Sequence, residues 1–132
     1  PPPPAPALPQ PDADLPALAD ALRAGLGAVR SLGGAAVGDK TMVDAFDPAV
    51  AALERAALDG FTLREAGALA AEAAEAGARA TEPLVARKGR ASYLGERSAG
   101  HRDPGAASTA LLFRALADAA SNRPPANRPA AD

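Results

Sequence analysis

Residues 62–84 read TLREAGALAAEAAEAGARATEPL. Thr62 and Glu65 have the spacing of a capping box, in which hydroxyl and carboxylate satisfy each other's backbone amides at a helix start. Behind them Leu63, Ala66, Ala70, Ala73, Gly77, Ala80 and Leu84 recur at gaps of three and four, which marks one face of a helix. That stripe is mostly alanine and glycine, so a neighbouring helix can approach closely. Glu75 and Arg79 form an i,i+4 pair on the wet side, worth a few tenths of a kcal/mol.

The flanking segments carry the same period. Leu15 to Leu32 places Leu15, Leu18, Leu22, Gly25, Val29 and Leu32 on one face, with Asp14 as the expected N-cap, Pro16 in the first turn and Gly33-Gly34 as the stop. A second helix is predicted from Thr41 to about Ala57, with Val43, Phe46, Val50, Leu53 and Ala57 as its stripe. Pro48 should kink or break it, and Asp59-Gly60 turns the chain. A last helix is predicted from Pro104 to about Ala120, with Leu112, Ala115, Leu116 and Ala119 inward. No segment alternates with period two for long enough to be a strand. The class is all-α, an antiparallel helical bundle.

The ends differ in composition. Eight of the fourteen prolines fall within the first sixteen residues, and the tail from Ser121 reads SNRPPANRPAAD. Residues 1–14 are read as a proline-rich disordered lead, 15–120 as the folded domain and 121–132 as a disordered tail. The chain begins with Pro, and we read it as a piece of something longer or a truncated gene product. It has no cysteine, which fits a reducing cytoplasm and excludes disulfides and thiolate metal sites. No run approaches the roughly 20 apolar residues that span a bilayer. The net charge of −2 gives no general attraction to nucleic acid or anionic membrane.

Against that background, residues 86–106 stand out: ARKGRASYLGERSAGHRDPGA. Up to Arg102 the segment holds Arg87, Lys88, Arg90, Arg97, Arg102 and the only histidine, His101, against one acid, Glu96. It feeds Asp103-Pro104-Gly105, an N-cap followed by proline at the first helical position. A well-capped helix explains those three residues by themselves. The arginine-rich approach adds a reason to expect phosphate, because guanidinium forks and first-turn amides both suit its oxygens. A second glycine-rich stretch, Gly33 to Met42, ends in Gly38-Asp39-Lys40-Thr41. It is not a Walker A loop, since Asp39 replaces the glycine required before the lysine. An RNA-binding role for the arginines is disfavoured by a single tyrosine, Tyr93, and the acidic total. His101 and Tyr93 are read as structural or solvated, and Asp12 and Asp14 as a solvated approach to the first helix.

Two motifs together carry a resemblance. Gly38-Asp39-Lys40-Thr41-Met42-Val43-Asp44, followed some fifty residues later by Ala86 to Ser98 and Gly100 to Ala106, closely resembles the L subunit, or L domain, of dihydroxyacetone (glycerone) kinase. The match covers roughly residues 15–120. The resemblance implies an antiparallel eight-helix barrel, here incomplete and restricted to its C-terminal part, that binds ATP or ADP with Mg. It implies delivery of a phosphoryl group to dihydroxyacetone held by a K subunit or domain. In some relatives ATP is the donor, and in others a phosphotransferase-system phosphocarrier rephosphorylates bound ADP. By resemblance Gly33 and Met42 line the nucleotide site, Arg90 contacts the phosphates or the transferring group as the catalytic residue, and Asp103, Pro104 and Gly105 border the nucleotide. The family's magnesium-binding carboxylates have no counterpart here, so no metal ligand is assigned and this chain alone is expected to be inactive. The alternative is a non-catalytic helical remnant or assembly module, prone to self-association through its unfilled apolar stripes.

Overall fold

The computed structural model of the chain describes residues 14–122, and the side chain of Arg90 lies outside that description. The expected lead, but for Asp14, and the tail from residue 123 also lie outside the described residues. Four α-helices account for most of the rest: α1 Leu15–Gly33, α2 Val43–Leu58, α3 Leu63–Ala80 and α4 Pro104–Ser121. A 3-10 segment, Arg90–Ser98, lies between α3 and α4 and bends at Gly95 (φ 56°, ψ −133°). Among the described residues there is no strand, and the all-α class is correct.

Each helix boundary has a local cause. The capping box of α3 forms with both halves: the Thr62 hydroxyl accepts from the Glu65 amide and the Glu65 carboxylate accepts from the Thr62 amide, each at 3.0 Å. Asp103 caps α4 by accepting from the Ala106 amide at 2.8 Å. Gly34 ends α1 in the left-handed region and donates to the Arg30 carbonyl. Asp14 makes no side-chain cap. Its backbone is helical (φ −76°, ψ −12°), and its carbonyl, not its carboxylate, serves the first turn by accepting from Leu18.

Of the two outcomes expected at Pro48, the break does not occur, since the second helix continues through it, and the expected face of α4 is corrected. Proline denies the Asp44 carbonyl its usual amide, and that carbonyl instead faces Gly77 of α3, where a side-chain carbon would fall 2.1 Å from the oxygen. The buried face of α4 is Ala106, Thr109, Phe113, Ala117 and Ala120; Leu112, Ala115 and Ala119 point outward and Leu116 is half-buried. Leu32 of α1 and Ala80 of α3 are exposed as well.

Helix α2 is the centre of the bundle, packing on α1, α3 and α4, while α3 also packs along α4. Close approach is possible because the facing residues are small: Ala66, Ala70, Ala74 and Ala78 of α3 against Ala45, Ala49 and Ala56 of α2. Gly77, late in α3, meets Asp44 and Ala45, early in α2; Gly67, early in α3, meets Ala117 and Ala120, late in α4. Both neighbours of α3 therefore run antiparallel to it. Phe46 and Phe113 meet edge to face, with ring centroids 5.9 Å apart, and supply most of the aromatic bulk of the core. Arg23 of α1 ties the outer helix down by donating to Asp47 and bidentately to Glu54 of α2. The guanidinium hydrogen bond holds the Glu54 carboxyl below the ordinary glutamate value.

Candidate functional site

The antiparallel order brings the C-termini of α1 and α3 and the N-termini of α2 and α4 to one end, where both glycine-bearing loops lie. The loop from Gly34 to Met42 is shaped by left-handed residues at Gly34, Gly38 and Lys40 (φ 62°, 99° and 64°). The buried carboxylate of Asp44 holds it from below, accepting from the Gly38 amide at 2.6 Å and the Thr41 amide at 2.9 Å. Asp39 closes a smaller turn by accepting from the Ala36 amide at 2.9 Å.

Lys40 does not point where a phosphate-loop lysine would. Its side chain is buried, and the ammonium donates to the carbonyls of Thr81 (2.8 Å), Glu82 (3.4 Å) and His101. The second loop is fixed around the same place. The Thr81 hydroxyl accepts from the Asp103 amide at 2.9 Å and donates to the Ala78 carbonyl at 2.6 Å. Gly100 donates to the Glu82 carbonyl, and Arg87 donates its amide to the Asp39 carbonyl at 3.0 Å. The Ser98 hydroxyl accepts from the Ala86 amide at 2.8 Å, which draws the far end of the 3-10 segment back to the stretch of chain that leads into it.

The residues expected to line the site are partly gathered. A side-chain carbon on Gly105 would lie 3.1 Å from Asp103 Oδ2 and 3.5 Å from the Met42 backbone nitrogen, so Met42, Asp103 and Gly105 form one cradle, with Pro104 between the last two. Gly33 is the exposed last residue of α1; beside it, Gly34 faces the Lys88 ammonium. Arg90 opens the 3-10 segment. Arg87, Lys88 and Arg97 are exposed, and Arg102 pairs with Glu82 at 3.2 Å. Asp103 engages the Ala106 amide, and its carbonyl accepts from Ala107. Pro104 has no amide, so Gly105 offers the N–H of the first turn that the cap leaves over.

Next to the cradle lies an apolar cleft of about 200 Å³, lined by Leu22 of α1, Met42 just before α2, Phe46 of α2, and Thr109, Leu112, Phe113 and Leu116 of α4. It exists because α1 packs chiefly on α2 and leaves α4 uncovered on that side. Met42 belongs to both the cleft and the cradle. The arrangement therefore pairs an apolar slot with a helix start that Asp103 caps and that the arginine-bearing loop leads into. Among the described residues no three carboxylate or imidazole groups gather as a metal site.

Sequence reasoning overlooked Lys40, Asp44 and Thr81 as organisers of this end. Thr41 and Asp44 have the spacing of a capping box, a signal that could have flagged Asp44. Lys40 and Thr81 had none, because their partners lie far along the chain.

A family profile described as the DAK2 domain matches residues 5–118. The chain is 46% identical over 98 residues to the PEP-dependent dihydroxyacetone kinase, ADP-binding subunit DhaL, of Escherichia coli (strain K12), covering 74% of this chain and 47% of that protein. It is 47% identical over 108 residues to L-erythrulose 1-kinase of Mycolicibacterium smegmatis, covering 80% of this chain and 18% of that enzyme. With Triokinase/FMN cyclase of Rattus norvegicus the identity is 41% over 103 residues, covering 78% and 18%. The chain thus spans about half the length of the separate ADP-binding subunit and a smaller share of the long kinases.

Proposed function

The chain belongs to the DAK2-domain family, and from that premise we propose that it is the nucleotide-binding, C-terminal part of a dihydroxyacetone kinase L domain. In this reading it holds ATP or ADP with magnesium, and a phosphoryl group passes to dihydroxyacetone on a K subunit or domain. The relatives' names supply the chemistry: an ADP-binding subunit in one case, ketose kinases in others. The observation that carries the reading is the contact of Met42 with Gly105, which joins the two motifs at one anion-favouring helix start beside an apolar slot.

The residues present fit a nucleotide. A side-chain carbon at Gly105 would press on the Asp103 carboxylate at 3.1 Å and touch Met42 at 3.5 Å, so glycine keeps the start of α4 open to close approach. The Gly105 amide, with the dipole of α4 behind it, favours phosphate oxygen. Met42, Leu112 and Phe113 offer apolar contact to a ring. Arg90 is assigned to the phosphates or the transferring group, Lys88 adds charge from the rim, and Gly33 closes the α1 side. When bound, the nucleotide supplies the phosphoryl group and magnesium neutralises its charge. The magnesium carboxylates are drawn from outside this chain, so the chain alone binds nucleotide without transferring it. We assign it to the cytoplasm, with a phosphotransferase-system phosphocarrier or ATP as the ultimate donor.

Titration calorimetry of the chain with Mg-ADP tests the reading. Saturable binding that Arg90→Ala weakens at least about tenfold, roughly 1.4 kcal/mol, is expected; no heat with the intact chain, alone and with the rest of an L domain supplied, would overturn it. The second reading, an assembly module without transfer, is favoured by the uncovered cleft and by exposed Leu111 and Leu112. It predicts self-association by light scattering and no response to Mg-ADP.

A further inference from the structure

The nearly buried lysine of the first motif has no part in the functional reading above, and its surroundings are unusual. Lys40 is 3% exposed and, among the described residues, makes no ion pair with a carboxylate. All three ammonium donors have carbonyl acceptors, on Thr81, Glu82 and His101. Two of those carbonyls belong to residues immediately past α3, at the negative end of its dipole. The third comes from the residue two before Asp103. The backbone at Lys40 is left-handed (φ 64°), an uncommon state for a side chain of this kind, and it is held there from both sides by Asp44 through the Gly38 and Thr41 amides.

We propose that Lys40 is a positioning residue, a clasp whose ammonium pins the Gly34–Met42 loop to the end of α3 and to the approach of α4, and so sets Met42 against Gly105. The functional part of this inference rests on the nucleotide reading of that end. The clasp acts in two ways. It crosses the gap between the first loop and segments 41, 42 and 61 residues away, which the Arg87–Asp39 backbone bond also bridges. It also places a positive charge on the α3 carbonyls, which would otherwise present their negative end toward a phosphate at the start of α4. A lysine serves here as a fixed internal cation and makes no contact with the ligand itself.

The test is amide hydrogen exchange by NMR on the full chain, together with Mg-ADP titration, for Lys40→Met and for Lys40→Gly, which relieves the left-handed backbone while removing the ammonium. Exchange at Arg87, Gly100 and Asp103 should accelerate about tenfold in both variants, while Val50 and Ala71 inside α2 and α3 change less than about twofold. The dissociation constant for Mg-ADP should rise about tenfold, and Lys40→Arg should recover part of both effects. Unchanged exchange at the three loop amides, or uniform acceleration that includes Val50 and Ala71, overturns the clasp. Local acceleration with unaltered Mg-ADP affinity overturns its positioning role. If Mg-ADP binds neither the intact chain alone nor the chain with the rest of an L domain supplied, the nucleotide reading fails and takes that role with it, while the exchange pattern still decides whether the clasp exists.

Discussion

Gly77 lies directly against the backbone carbonyl of Asp44: a methyl group on that glycine would fall 2.1 Å from the oxygen, 3.0 Å from Pro48 Cγ and 3.1 Å from Ala45 Cα. The carbonyl is the one that Pro48 deprives of its helical amide, so the glycine and the proline are two halves of one packing solution. Asp44 in turn holds the Gly38–Thr41 loop through its carboxylate. The spacing of two helices and the shape of a site loop therefore depend on a missing side chain.

Gly77→Ala should destabilise the chain by about 2–3 kcal/mol, because backbone and not a flexible side chain must yield. Gly25→Ala, in an exposed part of α1 with nothing within 4 Å, should raise stability by about 0.5–1 kcal/mol. Urea unfolding of both variants checks the pair; equal effects would mean that the α2–α3 contact tolerates a methyl group.

Thr81→Val should cost about 1–3 kcal/mol although the shapes are alike. Thr81 is fully buried, and its hydroxyl is the acceptor for the Asp103 amide. Valine leaves that amide buried without a partner at the start of α4. Thr81→Ser keeps the hydroxyl and should cost less. Denaturation midpoints that rank serine below valine would contradict this assignment.

Acid should weaken the α1–α2 clamp. The Glu54 carboxyl is held below its ordinary value chiefly by its hydrogen bond with Arg23. A carboxyl with a depressed folded pKa contributes fully above its unfolded value, about 4.3, and loses that contribution as pH falls through the lower folded value. The pair is more than a third exposed, so the contribution is about 1 kcal/mol or less. Urea midpoints at neutral pH and near pH 3 should show Glu54→Gln closer to the parent at the acid end; a gap that widens on acidification would reverse the assignment.

The parts of the fold that were legible in the sequence are those decided within one turn of helix. Thr62 with Glu65, Asp103 before Pro104, and Gly34 after α1 all act on neighbours three or four residues away. The inward face of α4 was misread because alanine barely distinguishes inside from outside, leaving the leucines to set the expected stripe. Leu112 belongs to the rim of an open cleft, while Phe113 one position on fills the core. The proximity of the two site motifs came from resemblance and not from spacing, since the contacts that hold them together span 22 to 61 residues. Lys40 shows the limit most clearly: a lysine among glycines before a helix suggests phosphate, and its carbonyl partners could be found only in three dimensions.

Leu112→Glu separates the two functional readings. Leu112 is 70% exposed at the edge of the cleft, so a polar replacement should alter stability by no more than about 0.5 kcal/mol. If the cleft takes the ring of a nucleotide whose phosphates meet Gly105, the new carboxylate removes apolar contact and repels the phosphates. Mg-ADP affinity should then fall about tenfold, roughly 1.4 kcal/mol. Leu58→Glu, at an even more exposed position but at the far end of α2, should leave binding unaltered. If the cleft instead buries a second helical surface, Leu112→Glu should convert a self-associated species to monomer in light scattering, and titration with Mg-ADP should give no heat for either the parent chain or the variant. The same substitution thus reads out a ligand in one case and a partner in the other, because the cleft offers its apolar wall to whichever occupies it.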